Sequence, residues 1–151
     1  MKDIGPMNLF TSQSWLVWAL FSALFAALTA IFAKVGVAEI NSDLATFFRT
    51  IVIVFVLAAL LTATGKFHGI GVIASKTWIF LVLSGLATGA SWLCYFRALK
   101  LGEAARVAPI DKLSVVLVAI IGVAFLGEQL TMRGWTGIAL IAAGAALVAI
   151  G

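Results

Sequence analysis

Five long runs of apolar residues, each closed by a short polar stretch, set the pattern of the chain: Trp15–Ala33, Leu44–Thr64, Trp78–Phe96, Val107–Leu126 and Trp135–Ile150. A helix rises about 1.5 Å per residue, so roughly 20 apolar residues cross ~30 Å of hydrocarbon. The runs are continuous rather than alternating, and longer than a barrel strand needs, which predicts membrane-spanning helices. Breakers and charges gather in the connections, at Gly36 to Asp43, Gly65 to Lys76, Leu99 to Arg106 and Gly127 to Gly134. The β-branched residues around Leu44–Phe55 do not argue for a strand, because in lipid a helix is the only local way to satisfy every backbone group. The first run is too long for a signal-peptide core, and Lys34-Val35-Gly36-Val37 is a poor cleavage site, so it reads as a retained helix. Residues 1–13 read as a short, poorly ordered polar tail, leaving 14–151 as one transmembrane domain.

Composition agrees. Of 151 residues, 64% are hydrophobic and 11% charged, with a mean hydropathy of +1.19. A soluble domain carries about 25% charged residues to cover its core. This chain cannot cover one, so its first partner is the lipid bilayer and its expected class is an all-α integral membrane protein. The net charge of +4 is spread singly between the runs, which argues against nucleic acid. Cys94 is alone inside the third run and reads as a small packing residue; His68 is alone beside Lys66. There is no Ser/His/Asp set, no phosphate-binding glycine loop, no paired carboxylates and no metal-ligand spacing. No enzyme chemistry, metal or cofactor is predicted.

The scattered cations bear on orientation, since cytoplasmic loops normally hold an excess of Lys and Arg. Lys2, Lys66, Lys76 and Arg133 lie on the N-terminal side; Lys34, Arg97, Lys100 and Arg106 lie on the other, with Arg49 and Lys112 slightly inside the membrane. So even a distribution permits insertion in both orientations, unless folding and partners impose one. Two oppositely inserted copies could pair antiparallel and recreate an inverted repeat.

Small residues mark close helix packing. Gly85 and Gly89 form a Gly-x-x-x-Gly in the third run, and Gly137, Gly144 and Gly151 recur every seven residues in the fifth. Whether they join helices within a protomer or between protomers is open, with packing within the safer reading. Charges inside the runs carry more chemistry. Arg49, Asp111 and Lys112 fall roughly 6–8 Å below one membrane face by helical rise. They are explained by snorkelling with an Asp111–Arg49 or Asp111–Lys34 pair, or by a polar vestibule or gate that meets substrate. Pro109 reads as the start of the fourth helix, where its missing donor costs nothing. Trp92, Tyr95 and Phe96 fit an interfacial belt, or Trp92 and Tyr95 line a pocket for an apolar or cationic solute. The belt accounts for Trp15, Trp18, Trp78 and Trp135.

The stretch Leu101-Gly102-Glu103-Ala104-Ala105-Arg106-Val107-Ala108-Pro109-Ile110-Asp111-Lys112-Leu113-Ser114, then Phe125-Leu126-Gly127-Glu128-Gln129-Leu130, then Gly134-Trp135-Thr136-Gly137-Ile138 onward to Gly144, resembles the EamA family of the drug/metabolite transporter superfamily. Phe32-Ala33-Lys34-Val35-Gly36 at the end of the first helix fits as well. The resemblance spans about Trp15 to Ile150; its Leu-Gly-Glu stretch and the following Gly-Trp-x-Gly helix are moderately specific. It implies half of a ten-helix fold made of two inverted five-helix repeats, moving small metabolites or drugs across a bacterial inner membrane. A working carrier would need a second copy, as a homodimer that could be antiparallel, or a related half-sized partner. The resemblance carries Trp92, Tyr95, Asp111, Lys112 and Ser114 over as cavity positions, to which their shared depth adds Arg49.

The expected mechanism is alternating access, two units rocking about a midplane cavity. Rival readings are a non-transporting membrane subunit and a flippase-like carrier of lipid-linked substrates.

Overall fold

The computed structural model describes residues 14–67 and 73–151. The N-terminal tail and His68 lie outside the described residues. Six helices follow one another: α1 (Ser14–Gly36), α2 (Ser42–Ala63), α3 (Ser75–Leu101), α4 (Ala104–Asp111), α5 (Ser114–Phe125) and α6 (Met132–Ile150). With α4 and α5 taken as two halves of one span, five helical segments are long and apolar enough to cross a bilayer. The protein is a multi-pass membrane protein.

The polar connections act as local stops. The Asn41 side chain accepts from the backbone N–H groups of Asp43 (2.8 Å) and Leu44 (3.3 Å), opening α2. At its far end Gly65 takes a left-handed φ of 63°. Lys66 then donates to the Leu61 carbonyl (2.9 Å) and Gly65 to that of Thr62 (3.1 Å), which closes the helix as a Schellman motif. Thr131 caps α6 by accepting from Gly134 N at 3.2 Å.

The fourth span departs from expectation. It begins at Ala104, three residues before the apolar run, and Pro109 lies inside α4 rather than at its start. Proline cannot donate to the carbonyl four residues back, so the helix loses one rung there. Three residues later the ladder tightens: Leu113 donates to Ile110, Val115 to Lys112 and Val116 to Leu113, all at 3.0 Å and all three residues apart. This 3₁₀-like step separates α4 from α5 and sets the residues on either side at a changed angle.

α3 is the central post, touching α1, α2 and α4, while α6 packs on α4 and α5. The core is compact and sits at one end. Ala33 and Val37, Ala45, and Phe96 and Leu99 bury one another, with Tyr95, Ala104 and Val107 packed against them. The small side chains of Ala33 and Ala45 let α1 and α2 approach the broad Phe96 face. Beyond the core lies a polar clamp. Lys34 Nζ donates to the carbonyls of Leu99 (2.7 Å) and Gly102 (2.8 Å), meeting the negative end of α3 with a cation. Arg97 grips Asp43 with two bonds of 2.9 and 2.7 Å, fastening α3 to α2. Lys100 reaches the Ile40 carbonyl, and Arg106 that of Gly151 at 3.2 Å.

Elsewhere the helices face outward. Only 6–11% of the residues in each membrane-length window are buried within the unit. Lipid accepts such side chains without penalty, so the clamp and core carry the specific packing. Trp15, Trp18 and Trp78 are exposed near the starts of their spans, as an interfacial belt requires.

The glycine pairs correct one expectation. A Cβ added at Gly85, Gly89, Gly137 or Gly144 would meet no described atom within 4 Å, so these glycines do not join helices within the protomer.

Candidate functional site

Four of the five spans contribute to a polar cavity next to the clamp. α1 supplies Ala26 and Thr29, α2 supplies Arg49, α3 supplies Ser91, Trp92 and Tyr95, and the break after α4 supplies Asp111 and Lys112; the volume is about 190 Å³. Regular helical spacing explains the alignment. Ala26 and Thr29 are three apart, as are Trp92 and Tyr95, so each pair shows one face. Asp111 and Lys112 are adjacent and reach the same cavity because the helix ends between α4 and α5 at that point.

Within it, Arg49 lies over an aromatic wall. Its guanidinium carbon is 4.1 Å from the centre of the Trp92 ring and 5.4 Å from that of Phe96. Cation–π attraction strengthens where water is scarce. One terminal nitrogen, Nη1, is buried and has no hydrogen-bond partner. Asp111 is occupied by its neighbour, Lys112 Nζ standing 3.1 Å from Oδ2. Neither of the ion pairs expected for Asp111 forms. Arg49 is held by the rings, and Lys34 is spent on the end of α3. The three charges meet at one cavity, whereas their direction around each helix decided their partners.

Thus Arg49, Trp92, Tyr95, Asp111 and Lys112 border one cavity, and Ser114 does not. Ser114 opens α5, beyond the break, and is exposed. The cavity also includes Ala26, Thr29 and Ser91, which sequence reasoning missed as site residues. For Ser91 the available signal was its position one residue before Trp92 and four before Tyr95. Phe96 had been assigned to the belt, yet it is buried in the core with its ring toward Arg49.

Adjoining this cavity, a more apolar groove of about 410 Å³ runs between α3, α4 and the end of α6, past Cys94, Ala98, Val107, Ile110 and Ala149. Ser91, Tyr95 and Asp111 border both spaces. Cys94 is exposed on this groove rather than packed within the unit.

Comparison with known proteins gives this geometry a context. The description of the EamA-like transporter family matches residues 13–150. A Sinorhizobium sp. protein named "Uncharacterized transporter in cobO 3'region" is 67% identical over 139 residues, covering 92% of this chain and 99% of the relative. No solved structure matches. A family match across all five spans, together with a relative this similar along its whole length, means that the chain belongs to the EamA-like transporter family.

Proposed function

We propose that two five-helix units pair around the Arg49 cavity and carry small metabolites or drugs across a bacterial inner membrane by alternating access. The second unit is another copy inserted antiparallel, or a related half-sized chain. The carrying observation is the cavity itself: Arg49, Asp111 and Lys112 converge from two spans at a break in one of them. Charges at membrane depth are costly and accompany solute paths, and inverted-repeat carriers build their sites at discontinuous helices. Family membership and the relative's name support the same reading. A non-transporting subunit has no need of such a cavity. A carrier of lipid-linked substrates draws support from the apolar groove beside it.

Accessibility of the cavity tests alternation. Ser91→Cys, in a Cys94→Ala background, is exposed to a membrane-impermeant maleimide from one side of sealed vesicles at a time. Alternating access predicts labelling that runs to completion from either side alone. A plateau near half from each side indicates two fixed orientations without alternation. Protection from both sides indicates a dry bundle. Either result, or complete labelling from one side only, rejects the mechanism.

A further inference from the structure

We propose that the cavity takes its cargo as an oxyanion, a small organic carboxylate held head-first by the Arg49 guanidinium. This rests on the reading of the cavity as the cargo site and names the class of cargo.

The electrostatics point one way. Among the described residues no acidic side chain pairs with Arg49: Asp43 is paired with Arg97, Glu103 with Arg106 and Asp111 with Lys112, and neither Glu39 nor Glu128 borders the cavity. The Asp111–Lys112 pair cancels locally, which leaves the cavity with the single uncompensated charge of Arg49. One face of the Trp92 ring, which could have received a cationic solute, is covered by that guanidinium at 4.1 Å. The rings of Trp92 and Phe96 flank it while its Nη1 stays without an acceptor. A buried donor without an acceptor is costly, and aromatic contact does not supply one. A carboxylate does, with the fork geometry that guanidinium prefers. The hydroxyls of Ser91 and Tyr95 line the same cavity and can donate to such a group. At about 190 Å³ the space is below the roughly 300–1,000 Å³ of drug-sized pockets, so the body behind the carboxylate is small.

The phosphate of an anionic lipid headgroup has the same acceptor chemistry, so the test separates the two sources. The full chain is placed in phosphatidylcholine nanodiscs, with and without phosphatidylglycerol, and its melting is followed as benzoate or neutral benzamide is added. Benzoate is expected to raise the melting temperature in phosphatidylcholine alone, and benzamide is not. Arg49→Gln should weaken the benzoate effect about tenfold or more. Arg49→Lys should keep part of it. The melting transition of each variant without ligand shows whether it is folded. Equal responses to benzoate and benzamide, a benzoate response that survives Arg49→Gln, or no response in the folded wild type would each overturn the proposal. Stabilisation by phosphatidylglycerol alone, lost in Arg49→Gln, assigns the oxyanion to lipid and also overturns it. Melting needs no flux and maleimide labelling needs no carboxylate, so failure here is separable from failure of alternating access.

Discussion

Lys34 Nζ stands 2.7 Å from the carbonyl oxygen of Leu99, a residue 65 positions further along the chain. With its second bond to Gly102, this places a cation against the last carbonyls of α3 and ties the first span to the third. Lys34→Met keeps the apolar stem and removes the charge. It is expected to lower the stability of the unit in detergent by about 1–2 kcal/mol. Lys34→Arg should recover part of the loss. Denaturant melts followed by circular dichroism measure both, and a Lys34→Met melt equal to wild type would remove the clamp from the account of stability.

The Arg97–Asp43 pair joins α3 to α2 through two hydrogen bonds and is open to solvent on both partners. Exposed pairs contribute little individually and are weakened by salt. Asp43→Arg alone places two cations together and should lower the melting temperature. Adding Arg97→Asp should restore most of it, and raising the salt concentration should narrow the difference between single and double variants. No recovery in the double variant would show that the two residues act independently.

Gly85 and Gly144 are open within the unit, so leucine at either position has room. Gly85→Leu and Gly144→Leu should leave the stability of the isolated unit within about 0.5 kcal/mol. If these small-residue sides meet a second unit, the same variants should weaken self-association in sedimentation experiments. Unfolding of the unit itself by either substitution would contradict the open placement.

The step between α4 and α5 replaces regular helical bonds with three-residue ones around Lys112 and Leu113. Amide hydrogens of 113–116 should therefore exchange faster than those in the middle of α6, as measured by mass spectrometry in nanodiscs. Pro109→Ala returns a donor to the first half of this span and should slow that exchange. Uniform protection across 104–125 would mean that the break is not a weak point.

Paired inside-active and outside-active reporters fused after Gly151 check orientation. Antiparallel pairing of identical copies predicts signal from both reporters. Signal from one alone requires an oppositely oriented partner of different sequence.

The spans were legible in the sequence because lipid imposes a length requirement that continuous apolar runs meet almost by themselves. Their ends were less so. α3 begins at Ser75 and ends at Leu101, several residues outside the run Trp78–Phe96 at both ends, since interfacial polar residues continue a helix as readily as apolar ones. Helical rise grouped Arg49 with Asp111 and Lys112, which border one cavity, but rise contains no information on azimuth. The pairing of Asp111 with its own neighbour, and of Arg49 with two rings, therefore emerged only from the fold. Ser114 entered through the family resemblance alone, and it opens α5 beyond the step rather than bordering the cavity. For the glycines, spacing identified a smooth surface and could not name what lies against it.

The reach of Lys34 has a consequence for biosynthesis. At roughly 5–20 residues per second, the carbonyls it binds emerge from the ribosome about 3–13 s after it does. Through that interval the first two helices occupy the translocon and bilayer without their principal tie, and their orientation depends on flanking charges that scarcely differ between the two sides. Completion of the third span supplies the tie, so commitment to a handed, locked subunit falls late in translation.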